Sequence, residues 1–428
     1  MKVALILPVG YVGGTVRLFL NLVRYFASRS GVELVVGIPE NHIHLIKVEL
    51  DQVCREFPQI EVRGFNWGIL GARKVENILP LHGVVVRRFI SKRYQVPLDG
   101  HENFLDCHFW FLVSDRLNHP LVPLRPYGIF VTDHLQRYVP EIFGRKTFQA
   151  VESGAWNFLR AVRNADLAVV TSQGTAADVE IYSGCLNTIL QIPTTIDFDH
   201  FLSVASQREQ YRQHITARPY CVWVTNTSEH KNHLRMLEAT RKYFEEHNGI
   251  LDIVVTGGNT DLFNPQSVLE KNSPRQAMSG QRYIRAVRDS VKSILGQWEP
   301  RIHWAGGVND PEYVAIVQNS QFLIHNVLAD NGTFSVVEAA VLGRPAMSSD
   351  YPQMRQLNEQ FGLGLHFFDA FDIDDTAKVM SDLEGKPIHF NSGLQQRIGK
   401  FSWRSWDETV ITAINAIRST PRKEIACL

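Results

Sequence analysis

Apolar positions along this chain fall into short unbroken runs separated by longer stretches with a helical repeat. Residues 2–9, KVALILPV, form one such run, the pattern of a parallel strand covered on both faces. The loop GYVGG follows, and TVRLFLNLVRYFAS then places Val16, Phe19, Leu20, Val23 and Phe26 on one helical face. VELVVGI at 32–38 predicts the next strand. Strand, glycine turn, helix and strand in this order begin a doubly wound sheet.

The alternation continues with a strand at GIFVTD (128–133), a helix around 147–164 and a strand at DLAVVTS (166–172) leading into the helical TAADVEIYS. Between 185 and 217 the pattern loosens through IPTTIDFDHF into SQREQYRQHITARP, where an interdomain linker is expected. A second series follows: strands at 220–226, 250–257, 301–306, 322–327 and 345–349, with helices at 232–246, 311–319 and 335–342. Residues 258–300 read as a polar insertion with a helical middle. The expected architecture is α/β, with Rossmann-like domains over 1–205 and 206–400. Such sheets bind ligands at the carboxyl ends of their strands, so the ligand is expected in the cleft between the domains.

Composition narrows the chemistry. Lysine plus arginine, 44, equals aspartate plus glutamate, 44, so no global field recruits nucleic acid. Five scattered cysteines form neither a CxxC pair nor a Cys/His cluster, which fits a reduced cytoplasmic interior. The first residues read as a buried strand rather than a signal peptide, and no apolar run approaches the roughly 20 residues that span a bilayer.

Four stretches carry candidate chemistry. Gly10, Gly13 and Gly14 lie between the first strand and helix, where backbone amides approach a phosphate; a purely structural turn explains them equally well. Their GxxGG spacing is not the GxGxxG of dinucleotide binders, although Glu40 past the second strand is placed like the ribose acid of that group. Lys231 sits at a strand-to-helix junction with Asn232 as N-cap; a lysine there can neutralise a diphosphate, but taken alone a solvated surface lysine is the stronger reading. In DNGTFSVVEAAVLGRPAMSSDYP, residues 330–352, Ser335 and Glu338 fit a capping box, and Gly343 with Pro345 supplies the helix stop. That bland account leaves out Asp330-Asn331-Gly332-Thr333, a carboxylate before a small-residue turn and helix amides, which suits a hydroxylated, phosphorylated ligand. Finally, VVVRRFISKRY at 84–94 interleaves Arg87, Arg88, Lys92 and Arg93 with apolar residues; a solvated helix face is the default and an anionic membrane contact the alternative.

The 330–352 segment resembles the signature of the retaining GT-B glycosyltransferases of family 4: two acids flanking seven residues, then EA, a G-x-P turn and a small-residue strand. Asp330 stands in place of the usual first glutamate, Glu338 matches the second, and Ala339, Gly343, Pro345, Ser349 and Pro352 follow the pattern. Gly13-Gly14, VTSQGTA (170–176), TTID (194–197), HKNHLRMLEA, AGGVNDPEYVAIVQNS (305–320) and FSWRSWDETV near 401 resemble further segments of that family. VTDHLQRYVPEIF (131–143) resembles a segment of bacterial polysaccharide mannosyltransferases.

The resemblance implies a GT-B fold whose C-terminal helix, about 401–428, crosses back to the first domain. It implies a hexosyltransferase moving a sugar with retention from a nucleotide-sugar donor to a glycan or lipid-linked acceptor in surface polysaccharide or lipopolysaccharide synthesis. The enzyme would be cytoplasmic, at most peripheral to the inner membrane face. Mannose from GDP-mannose is the first reading of the donor, with UDP- or dTDP-sugars as alternatives. Asp330, Lys231, Asp133 and His134 would be catalytic. Gly13, Gly14, Asn226, Lys231, Val308, Asp330, Asn331, Gly332, Thr333, Phe334 and Glu338 would line the donor. No cofactor and no metal are expected; the DxD triplets at Asp197–Asp199 and Asp372–Asp374 read as solvated turns. A nicotinamide oxidoreductase and a non-catalytic scaffold of the same fold are the rival classes.

Overall fold

The computed structural model describes all residues except 11–13, 143–154, 185–186, 193–200, 202, 204–215, 332–333, 387–392, 395–396, 398–401 and 421–423. The chain divides into two compact units, 1–197 with 401–428, and 198–400. The expected linker around 185–217 lies largely outside the described residues, as does TTID at 194–197.

The first unit holds β1 (Lys2–Ile6), β2 (Glu33–Pro39), β3 (Glu61–Gly71), β4 (Val85–Arg88), β5 (Arg93–Leu98), β6 (Phe109–Leu112), β7 (Tyr127–Phe130), β8 (Leu167–Val170) and β9 (Thr188–Gln191). Its main sheet runs β5-β3-β2-β1-β6-β7-β8-β9. Only β5 is antiparallel, pairing with β3 from Asn66↔Leu98 to Gly71↔Arg93. The continuous apolar runs are explained by two covered faces. Val3 and Leu5 of β1 pack with the helix Gly14–Ala27, while Ala4 and Ile6 point into a second core with Trp110 and Tyr127.

The second unit holds β10 (Tyr220–Val224), β11 (Asp252–Thr256), β12 (Ile302–Gly306), β13 (Leu323–His325), β14 (Ala346–Ser349) and β15 (His366–Phe368). They form one parallel sheet in the order β12-β11-β10-β13-β14-β15. The 258–300 insertion contains the helices Pro274–Ser279 and Arg282–Leu295, the second of which buries Ile284, Val287, Val291 and Leu295.

The C-terminal segment belongs to the first unit. Trp403, Trp406, Val410 and Ile414 join the core beneath the helix Gly14–Ala27, and the Tyr25 hydroxyl donates to the Asp407 carbonyl at 3.0 Å. The last strand, β16 (Glu424–Cys427), pairs in parallel with β4. The 84–94 segment is therefore strand and loop rather than a solvated helix: Val84-Val85-Val86 is β-branched, and the chain terminus supplies its partner. No described helix is long and apolar enough to cross a membrane.

Candidate functional site

In the second unit the chain leaves β10 toward one side of the sheet and β13 toward the other. The loops after these adjacent strands therefore part, and a crevice opens at the strand ends. Lys231 lies in the first loop, in the short turn Glu229–Lys231, and Asp330 lies in the second. Although 99 positions apart in sequence, they meet: Lys231 Nζ donates to Asp330 Oδ2 at 2.5 Å, with the side chains 12 and 18% exposed. The Asn331 amide donates to Asp330 Oδ1 at 2.8 Å. Burial by itself would raise the Asp330 pKa, but the neighbouring charges, Lys231 foremost, outweigh it and hold the carboxyl at about 2.

Buried polar groups fix the loops that carry this pair. Asn232 is left-handed, φ 56°, and its side chain makes no N-cap bond. Asn232 stands at the N-cap of the helix His233–Glu245 as expected, but its side chain does not cap: the amide donates to the Ala370 carbonyl at 2.7 Å and its oxygen accepts from Arg235. Asn326 donates to the Asn232 carbonyl at 3.3 Å, and Ser349 Oγ accepts the Val327 amide at 2.9 Å. His325 is buried at the end of β13 against the Tyr351 hydroxyl, 3.1 Å away, and burial pushes its pKa down to about 3, so the ring is neutral at pH 7. Gly257, φ 129°, is required at the end of β11, because a Cβ there would stand 1.7 Å from the Thr225 carbonyl oxygen.

The helix Phe334–Val341 begins one residue before Ser335, which is thus inside the helix and not at its N-cap. Glu338 is 2% exposed, and its Oε2 accepts the Tyr313 hydroxyl at 2.7 Å. The expected stop is present: Gly343 has φ 72°, and the Gly343 and Arg344 amides return to the Ala340 and Ala339 carbonyls. A true capping box occurs elsewhere, between Asn309 and Glu312 at the helix Asp310–Asn319.

The remaining assignments are distributed. Asn226 is exposed and its side-chain oxygen accepts the Ser228 amide at 2.9 Å. Val308 lines, with Trp304 and Gly307, a cavity of about 640 Å³ beside the edge strand β12. Gly14 is the first residue of its helix; Gly13, Gly332 and Thr333 lie outside the described residues. Of the DxD triplets, Asp372 caps the helix Ile373–Leu383 by accepting the Asp374 and Asp375 amides, and Asp197–Asp199 lies outside the described residues.

The first unit has its own switch point between β1 and β6. Asp133, after β7, accepts from Arg116 Nη2 at 2.7 Å. His134 is buried, bonds Ser183 Oγ at 2.8 Å, and is pushed by burial to a pKa of about 4, so it is a neutral imidazole at pH 7. Beneath them Asp115, after β6, is fully buried, and neither carboxylate oxygen accepts a hydrogen bond among the described residues. Its nearest cationic or ionisable nitrogens are Arg116 Nε at 3.7 Å and His134 Nδ1 at 3.8 Å. Burial raises its pKa to about 6. Sequence reasoning missed His325, the last residue of β13, and Asp115, just after β6, because no motif surrounds either; the one signal was a polar residue at a strand's carboxyl end.

No protein-family model matches the sequence, and a search of curated proteins finds no sequence match. Solved structures share the fold. HepE of Anabaena in complex with UDP and glucose matches with TM-score 0.65 at 14% identity, over 97% of this chain and 100% of that one. Sucrose-phosphate synthase from Thermosynechococcus elongatus matches with TM-score 0.62 at 12% identity, over 97 and 98% of the two chains. WaaG, a glycosyltransferase involved in lipopolysaccharide biosynthesis, matches with TM-score 0.59 at 13% identity, over 98 and 100%. At these identities the likeness establishes the α/β fold with two Rossmann-like units.

Proposed function

We propose that this chain is a glycosyltransferase that takes a nucleotide-sugar donor at the strand ends of its second unit and transfers the sugar with retention of configuration. The observation that carries the reading is the Lys231–Asp330 pair at the switch point between β10 and β13. A donor diphosphate competes with Asp330 for the Lys231 ammonium. Donor binding then exchanges carboxylate for phosphate at the ammonium and turns Asp330 toward the sugar hydroxyls. Glu338, buried in the helix Phe334–Val341, holds the ribose hydroxyls. The fold shared with WaaG and HepE supports this class of reaction.

In the transfer step the acceptor hydroxyl oxygen bonds to the anomeric carbon on the face from which the diphosphate departs. The bond to the diphosphate oxygen breaks with its electron pair, and a phosphate oxygen takes the hydroxyl proton. Lys231 and the Asn331 amide stabilise the developing charge, so no protein nucleophile is needed. Asp133 and His134 serve the acceptor, a glycan or lipid-linked saccharide of bacterial surface polysaccharide synthesis.

For the donor, the VTDHLQRYVPEIF segment supports GDP-mannose. The UDP-glucose bound by HepE supports a uridine donor as the second reading. A thermal-shift comparison of GDP-, UDP- and dTDP-sugars separates them, since a ligand stabilises the native site it fits. Lys231→Ala and Glu338→Ala are each expected to lower transfer at least about tenfold, roughly 1.4 kcal/mol of transition-state stabilisation. Undiminished transfer in both variants would remove the assignment. If Glu338 acts only through its buried hydrogen bond to Tyr313, Glu338→Ala will cost about 1–3 kcal/mol of stability and leave the kinetics unchanged.

A further inference from the structure

β12 is the outermost strand of the second unit's sheet, so one row of its backbone amides and carbonyls has no strand partner. The cavity of about 640 Å³ lies against this strand, and Ile302, His303, Trp304 and Ala305 all line it. Successive side chains of a strand point to opposite faces. Four consecutive lining residues therefore mean that the cavity runs along the strand's outer edge and not over one face of the sheet. Asn264, Gln266 and Glu299 of the 258–300 insertion and Glu312 of the helix Asp310–Asn319 belong to its walls, whereas Lys231, Asp330 and Glu338 do not.

The walls select by charge. None of the lining residues is lysine or arginine, and two are glutamates, so a phosphate or other anion is disfavoured. The acids do not gather around a cation either: among the described residues no group of three or more His, Cys, Asp or Glu is placed to hold a metal. They are spread apart and each is held, Glu299 Oε1 accepting from Gln266 Nε2 at 3.4 Å and Glu312 Oε2 from the Asn309 amide at 3.1 Å. Between them Trp304 is half-buried and meets Phe263 edge-on, ring centroids 6.0 Å apart. Its indole N–H donates to no described residue.

We propose that this cavity binds a neutral saccharide, at a site separate from the donor crevice. Carboxylates accept sugar hydroxyls, the Asn264 and Gln266 amides both donate and accept, and the indole offers an N–H beside an apolar ring against which the C–H face of a pyranose packs. The edge of β12 alternates amides and carbonyls, and hydroxyls satisfy both. The volume lies within the roughly 300–1,000 Å³ of small-molecule sites. An extended peptide adding to the same edge would need apolar pockets for its alternate side chains, and the glutamates and amides do not supply them. The inference rests on this cavity alone and stands or falls independently of the proposed reaction.

The test is NMR of the full chain, isotope-labelled at its tryptophan side chains and titrated with methyl α-mannopyranoside, methyl α-glucopyranoside and methyl β-galactopyranoside. Trp304→Phe, which keeps a ring beside Phe263, identifies the Trp304 indole signal by its loss. At least one glycoside, added to about 50 mM, is expected to shift that signal saturably, and Glu299→Gln should weaken its binding at least about tenfold. Saturation transfer from the protein to the same glycoside should fall in Trp304→Phe, and unchanged thermal unfolding of both variants will show that the fold is kept. Excess GDP or UDP should leave the shift in place. The proposal is overturned if no glycoside moves the Trp304 signal, or if binding is undiminished in either variant. Displacement of the glycoside by either nucleotide also overturns it, since the sugar would then sit in the donor crevice.

Discussion

Asp330 and Asp115 occupy corresponding places in the two units. Each follows the strand beside its unit's first strand, β13 next to β10 and β6 next to β1. Their electrostatic circumstances are opposite. Asp330 is partly exposed and fully engaged, with Lys231 on one oxygen and the Asn331 amide on the other. Asp115 is buried and accepts no hydrogen bond from a described residue. One fold position thus carries a stabilised carboxylate in one unit and a destabilised one in the other. The difference arises in the loop after the first strand, which delivers a lysine in the second unit and has none in the first, where the loop reads PVGYVGG.

The largest expected effect breaks the paired side. Lys231→Met leaves Asp330 charged without its partner and should cost the second unit about 3 kcal/mol, while adding Asp330→Leu should restore most of it. Hydrogen exchange of the β10 and β13 amides localises the change to that unit. A single-variant loss below about 0.5 kcal/mol would mean that the pair is not a stabilising contact.

Acid sharpens the comparison, because the two carboxyls respond with opposite sign. Asp330 titrates near 2 in the folded chain, below the ordinary 3.8, so its contribution is complete above about pH 4 and lost as pH falls toward 2, about 2 kcal/mol in all. Asp115 titrates near 6, above the ordinary value, so the folded state binds its proton more tightly than the unfolded chain does. Its contribution therefore declines as pH rises from about 4 to about 6. Carboxyl NMR titration reads both values, and two midpoints on the same side of 3.8 would erase the contrast.

The smallest effect concerns Asp115, which accepts no hydrogen bond from a described residue and has Arg116 only at 3.7 Å. Asp115→Asn removes a buried charge while keeping its shape, and should leave stability at pH 7.5 unchanged or raise it by about 1 kcal/mol, in contrast to Asp330→Asn, which should lower it. Thermal unfolding of the two variants at that pH decides the matter. A destabilised Asp115→Asn would show that its carboxylate has a stabilising partner.

What the sequence revealed follows from how local the causes are. β1, β2 and β10 to β14 were legible because strands covered on both faces read as continuous apolar runs, and the Gly343-Arg344-Pro345 stop because it is written in adjacent residues. The β3–β5 pair was not, since Gly64 and Gly68 interrupt β3 and its antiparallel partner follows only after a helix and β4. β4 has a helix-like local pattern, and its strand partner, β16, lies about 340 positions away. At the site, Lys231 and Asp330 were each visible beside a strand end, but their ion pair depends on the sheet order. Asn232 holds the cap position, but its side chain turns to the Ala370 carbonyl, 138 positions away, which no local pattern shows.

The central claim is that Lys231 exchanges Asp330 for a donor diphosphate, and titration calorimetry of GDP-mannose and UDP-glucose against the unaltered chain and Lys231→Ala tests it most directly. The account predicts that one of the two nucleotide sugars binds the unaltered chain and that Lys231→Ala weakens it at least about tenfold, roughly 1.4 kcal/mol. Binding of neither, or equal affinity with and without the lysine, would contradict it.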